Sequence, residues 1–122
     1  MSNDSYRQIT SSISATLGRL RADCPDTLRG FSALAQAATR EGALDRKTKE
    51  LIAMALSIGA RCDPCIGHHA EALVKLGATR AEFEDMLGMC VYMGGGPSLM
   101  YAAKALQAFE EFSAAPTTSC AS

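Results

Sequence analysis

The chain of 122 residues is the length of one domain, with room for a thin core. It holds four phenylalanines, three tyrosines and no tryptophan, and draws its apolar mass from alanine, leucine and methionine, the stock of packed helices rather than of a β-sandwich. Its 12 basic and 13 acidic side chains are interspersed to a formal charge of −1, which leaves no basic face for nucleic acid.

The start, "MSNDSYRQITSS", carries no secretory apolar stretch, and no apolar run approaches the ~20 residues that cross a bilayer. The expectation is a cytoplasmic protein with no membrane partner. In that compartment thiols are kept reduced, so a close cysteine pair reads as catalytic or metal-binding rather than structural.

Ile9, Ile13, Leu17 and Leu20 recur every three or four residues and predict an amphipathic helix over about 5–22. "DCPDT" breaks it at Pro25. Leu28, Phe31, Leu34, Ala35 and Ala38 mark a second helix ending near Gly42. Asp45 is a good N-cap for a third, "RKTKELIAMALSIGA", with Leu51, Met54, Ala55 and Ile58 turned inward and Gly59 as its stop. In the fourth, Asp63 serves as cap, Pro64 suits the first helical position and Gly77 ends it. "TRAE", Thr79 to Glu82, is a capping box before "FEDMLGMCVYM". "GGGP", 94–97, is the sharpest break, and Pro97 opens a last helix through about Phe112.

The expected architecture is an all-α bundle of about six helices in one domain, 1–112, with a disordered tail over 113–122 that makes Cys120 incidental. The last three helices carry apolar residues on more than one face: Met86, Met89, Tyr92, Met93, Leu99, Met100 and Tyr101. That surplus exceeds what so small a monomer buries and predicts a symmetric homo-oligomer.

"RCDPCIGHH", 61–69, gathers two of the five cysteines and both histidines. On a helix, Cys62, Cys65 and His69 fall at i, i+3 and i+7, one stripe on one face. Cys65 and His69 lie one turn apart, within thiol–imidazole reach. His68 points about 100° away and reads as a surface or interface residue. Both cysteines sit at a helix N-terminus, where free N–H groups favour thiolate over thiol. The C-x-x-C spacing lets the sulfurs join. One thiol attacks, the second resolves and a base moves the proton, which together meet the needs of reversible thiol redox.

If the third and fourth helices return antiparallel, Glu50 lies roughly 13 Å before the turn and His69 roughly 10 Å beyond it, so the two are level across the pair. Glu50 then either orients the imidazole and raises its basicity or is one of many glutamates on solvated faces.

The stretch from "KELIAMALSIGARCDPCIGHHAEALVKLGATRAEFEDMLGMCVYMGGGPSLMYA" resembles the alkylhydroperoxidase-D-like group of the carboxymuconolactone decarboxylase family, over roughly residues 25–112. The marks are Glu50, Cys62-x-x-Cys65-x-x-x-His69, "GGGP" and "YAAKAL". The resemblance implies an all-helical fold assembled as homotrimers or homohexamers, and a dithiol peroxidase site that needs no cofactor and no metal. It implies that Cys65 is the thiolate that attacks peroxide and passes through a sulfenic acid. Cys62 donates a proton and then resolves it to a disulfide, and His69 and Glu50 form the activating relay. Helix-end electrostatics alone favour Cys62 as the attacking sulfur. The substrate is then a hydroperoxide or a disulfide, and the electron donor a thiol or lipoyl-type dithiol. The chain departs from the resemblance in two ways. Asp63-Pro64 stands where well-studied members carry a second histidine between the cysteines, and there is one copy of the helical unit. The decarboxylase branch lacks the cysteine pair, so lactone decarboxylation is not expected.

Two other classes fit the same residues. Cys62, Cys65, His69 and Glu50 offer a zinc ligand set, though without the second knuckle of a structural site. A helical assembly module with packing cysteines is the other, and Cys24 and Cys90 fit that description.

Overall fold

The computed structural model describes residues 5–114. Five helices follow one another: α1 (Tyr6–Asp23), α2 (Pro25–Thr39), α3 (Arg46–Ala60), α4 (Asp63–Lys75) and α5 (Arg80–Ser113). The expected all-α class holds. The anticipated tail over 113–122 falls outside the described residues except for Ser113, the last residue of α5, and Ala114, its cap. Cys120 lies outside them too.

The sixth helix expected after "GGGP" is the second limb of α5. Gly95, at φ 71° and ψ −154°, is the one non-helical residue in that span, a conformation open in practice only to glycine. Arg80 pairs with Glu110 at 2.7 Å, and the rings of Phe83 and Phe109 stack with centroids 4.5 Å apart. In a straight helix Phe83 and Phe109 would stand roughly 39 Å apart. The limbs 80–94 and 96–113 therefore fold back against each other. Gly94 permits the bend as well, because a Cβ there would lie 2.6 Å from Ser98 Cβ.

The core lies among α3, α4 and the two limbs of α5. Met54 and Ile58 from α3 meet Ile66, Ala70 and Leu73 from α4 and Phe83, Ala105 and Phe109 from α5. Leu51 and Ala55 pack on its margin. α1 joins by its first two turns only, through Tyr6 and Ile9. Ile13, Leu17 and Leu20, the rest of its stripe, are exposed, and α2 buries no residue at all. α1 and α2 thus form an arm along the bundle.

Local chemistry explains the ends. Asp45 caps α3 by accepting from Thr48 N–H at 2.8 Å, and the Thr79–Glu82 box caps α5. Two expected stops and one expected cap move. The second helix ends at Thr39 rather than near Gly42, where Lys49 Nζ donates to the Ala38 carbonyl at 3.0 Å. Gly59 stays helical, and the chain turns instead at Arg61, in the left-handed region at φ 56°, with Cys62 N–H bonding Ser57 O at 3.1 Å. Asp63 does not cap α4. Cys62 does, its sulfur accepting from Cys65 N–H at 3.3 Å, because the Asp63 carboxylate is already engaged elsewhere.

That engagement ties α4 to its neighbours. Tyr6 Oη donates to Asp63 Oδ1 at 2.8 Å, and Lys104 Nζ donates to Oδ2 at 2.9 Å. Burial, reinforced by the Asp63 carboxylate it bonds, pushes the Tyr6 phenol well above its ordinary pKa. The backbone N–H groups of Tyr6 and Arg7 donate to the Glu111 carboxylate at 3.0 and 2.9 Å, an anion on the positive end of α1. Gly67 lets α1 and α4 approach, since a Cβ there would fall 2.6 Å from Thr10 Cγ2.

Candidate functional site

The site is built on the first two turns of α4 and one residue of α3. Cys62 and Cys65 stand at bonding distance, with Cα atoms 5.2 Å apart. Cys62 takes the helix cap and Cys65 sits in the first turn, so both sulfurs feel the unpaired N–H groups there. Four residues beyond Cys65, His69 Nδ1 meets Glu50 Oε1 of α3 at 2.7 Å. Glu50 is 4% exposed, and the imidazole is its hydrogen-bond partner. A buried carboxylate without such a partner is costly, so the pair fixes the ring and the carboxylate together. With Glu50 ionised, Nδ1 carries the proton and donates it, and Nε2 is left as a base.

Cys65, Glu50, His69 and also His68 line one cleft of about 550 Å³ between the α1–α2 arm and the α3–α4 pair. Cys62 does not line it. The facing wall is apolar, with Ile13 and Leu17 from α1 and Phe31 and Ala35 from α2. The exposed arm residues thus find one role as the other side of this cleft. His68 is exposed, as its position predicts, yet it does not turn away from the site. It faces the same cleft, edge to face with His69 at a centroid distance of 5.0 Å. Its i+3 spacing from Cys65 was the signal for this, because i+3 neighbours share a face as well as i+4 neighbours.

The other cysteines sit in different settings. Cys24 is exposed at the α1–α2 junction. Cys90 is buried with its sulfur 3.6 Å from Met86 Sδ, and burial pushes its thiol pKa up, which keeps it protonated and inert. Among the described residues, no three His, Cys, Asp or Glu side chains converge in a metal-holding group. No helix among them is long and apolar enough to cross a membrane.

The model of the carboxymuconolactone decarboxylase family matches residues 25–108. The chain belongs to the carboxymuconolactone decarboxylase family. The crystal structure of a family member from Legionella pneumophila is 60% identical and superposes with a TM-score of 0.88, over 89% of this chain and 97% of that one. A Thermotoga maritima family member, for which an antioxidative role has been raised, is 29% identical with a TM-score of 0.75, over 84% of this chain and 87% of that one. An uncharacterised protein of Cupriavidus necator is 36% identical over 93% of this chain and all of its own length. Within this family of helical proteins, the two cysteines, the imidazole and the buried carboxylate define the chain's candidate site.

Proposed function

We propose that the chain is a thiol-dependent peroxidase, a dithiol–disulfide oxidoreductase that reduces hydroperoxides. One observation carries the reading. Cys65 opens into a cleft beside an imidazole fixed by a buried carboxylate, with a second sulfur at bonding distance behind it.

The steps follow from the chemistry of these groups. His69 Nε2 takes the Cys65 thiol proton, and the helix N-terminus stabilises the thiolate. The thiolate attacks the outer peroxide oxygen. The S–O bond forms, the O–O bond breaks, and the alkoxide leaves to be protonated as the alcohol. Cys62 then attacks the Cys65 sulfenic acid, the S–S bond forms and the oxygen departs as water. A thiol or lipoyl-type dithiol returns two electrons by exchange at Cys65, the sulfur reached from the cleft. Cys62 is then the leaving thiolate, stabilised by the N–H it already accepts. The division of labour agrees with the assignment drawn from the resemblance. It also gives helix-end electrostatics a role, in making Cys62 a good resolving and leaving sulfur rather than the attacking one.

We infer further that the chain works as a homotrimer or homohexamer, because Phe31, Leu34, Tyr92 and Met93 remain well over half exposed in one copy. The antioxidative role raised for the Thermotoga maritima relative supports the same class of activity.

The test is peroxide consumption by the reduced protein with a dithiol donor. Wild type is expected to turn over, Cys65→Ser to be inactive, and His69→Ala to fall by roughly a hundredfold. A wild-type protein that leaves hydroperoxide unconsumed, with iodoacetamide labelling no faster than for a free thiol, would overturn the reading.

A further inference from the structure

Two imidazoles flank Cys65 on α4. His68 stands at i+3 and His69 at i+4, and both spacings bring side chains together on one helix face, with Cβ atoms roughly 5–6 Å apart. Both rings line the cleft into which Cys65 opens, and they touch edge to face at 77°. Their surroundings differ. His69 is tied through Nδ1 to the buried Glu50 carboxylate. His68 is exposed and makes no hydrogen bond or ion pair to the protein among the described residues. On its other side it borders a shallower hollow shared with Arg7 of α1 and Glu71 of its own helix. It is a solvent-connected imidazole beside the reacting sulfur, and the relay from Glu50 through His69 does not use it.

The peroxidase reading, on which this inference rests, leaves one proton unassigned. When His69 takes the thiol proton it becomes an imidazolium beside the Glu50 carboxylate, and none of those steps names the donor to the departing oxygen. The O–O bond meanwhile breaks to expel an alkoxide, a leaving group about as strongly basic as hydroxide. Such a group departs readily only if a positioned acid protonates it as it forms. We propose that His68 is that acid, a second catalytic histidine that donates its proton to the leaving oxygen of the hydroperoxide. The balance is complete within the site. The Cys65 thiolate and the hydroperoxide, with protonated His68, give the Cys65 sulfenic acid, the alcohol and neutral His68. Sulfur loses the two electrons that the O–O bond gains. The proton taken by His69 from the thiol makes good the loss from His68 through solvent, to which His68 is open.

The proposal separates the two histidines by what each is needed for. His69 serves the thiolate and so matters for any electrophile. His68 serves the leaving group and so matters only where that group is basic. The experiment compares wild type with His68→Gln, both reduced, against cumene hydroperoxide, which expels an alkoxide, and peracetic acid, which expels acetate and needs no acid. Iodoacetamide labelling of Cys65 reports thiolate formation alone. His68→Gln is expected to slow cumene hydroperoxide reduction by about a hundredfold or more while changing peracetic acid reduction and labelling by less than about threefold. The exposed position makes retention of the fold the expectation, checked by an unchanged melting curve. An equal fall for both substrates, a matching fall in labelling, or an unchanged rate with cumene hydroperoxide overturns the role of His68 and leaves the peroxidase reading standing. A wild-type protein inert to both peroxides overturns that reading, and this inference with it.

Discussion

Glu50 is nearly sealed from solvent, and among the described residues its one hydrogen-bond partner is the His69 imidazole. Glu50→Gln keeps the shape but removes the charge that holds the His69 proton on Nδ1 and supports the imidazolium. We expect roughly a hundredfold loss in both hydroperoxide reduction and Cys65 labelling, with the helical circular dichroism unchanged. Equal labelling rates in variant and wild type would remove Glu50 from the relay. Tyr6 gives a second prediction, in pH. Its folded pKa lies above its unfolded one, so the stability linked to it is whole below about pH 10 and is lost as pH rises beyond that value, where only the unfolded chain releases the phenol proton. Denaturant midpoints should fall between pH 9 and pH 11, and Tyr6→Phe should flatten the fall at a cost of about 1.5–3 kcal/mol at neutral pH, the usual worth of a hydrogen bond to a charged group. At this scale the meeting of Glu50 and His69 was legible from helix rise and an assumed antiparallel turn. The clamp of Tyr6 and Lys104 on Asp63 was not, because it joins residues 57 and 41 positions apart through packing that no local period encodes.

Helix starts were easier to read than helix stops. Asp45 and the Thr79–Glu82 box act through bonds to N–H groups three residues away, so their chemistry is complete within the local sequence. The turn after α3 is set by Arg61 in a left-handed conformation, which its identity gives no reason to expect. The break at "GGGP" was evident, but the reversal it makes depends on the dihedrals of one glycine. Gly95→Ala is therefore expected to cost roughly 1–3 kcal/mol and to lower the melting temperature, because alanine resists that conformation. A Gly95→Ala protein as stable as wild type would show that the limbs reverse without that conformation. Gly67 matters in another way: alanine there meets Thr10 and Tyr6 and drives α1 away from α4.

The whole molecule pairs a well-packed bundle with an arm that contributes little to the core. The amphipathic period of α1 and α2 was correct as a helix signal and misleading as a core signal, since Ile13, Leu17, Phe31 and Leu34 face the cleft or solvent in one copy. We expect the native mass in solution to be three or six times the 12.9 kDa of the chain, and Leu34→Glu or Met93→Glu to lower it; a monomer at micromolar concentration would contradict this. The proposed redox cycle is also a property of the intact molecule, because it needs the arm, the α3 carboxylate and the α4 thiols in one place. Its most direct test is mass spectrometry of the reduced protein after one equivalent of cumene hydroperoxide. The account predicts loss of two hydrogen atoms with a bond between Cys62 and Cys65, and, in Cys62→Ser, a sulfenic acid trapped by dimedone on Cys65. Unconsumed peroxide with both thiols still free, or the adduct on another residue, would contradict it.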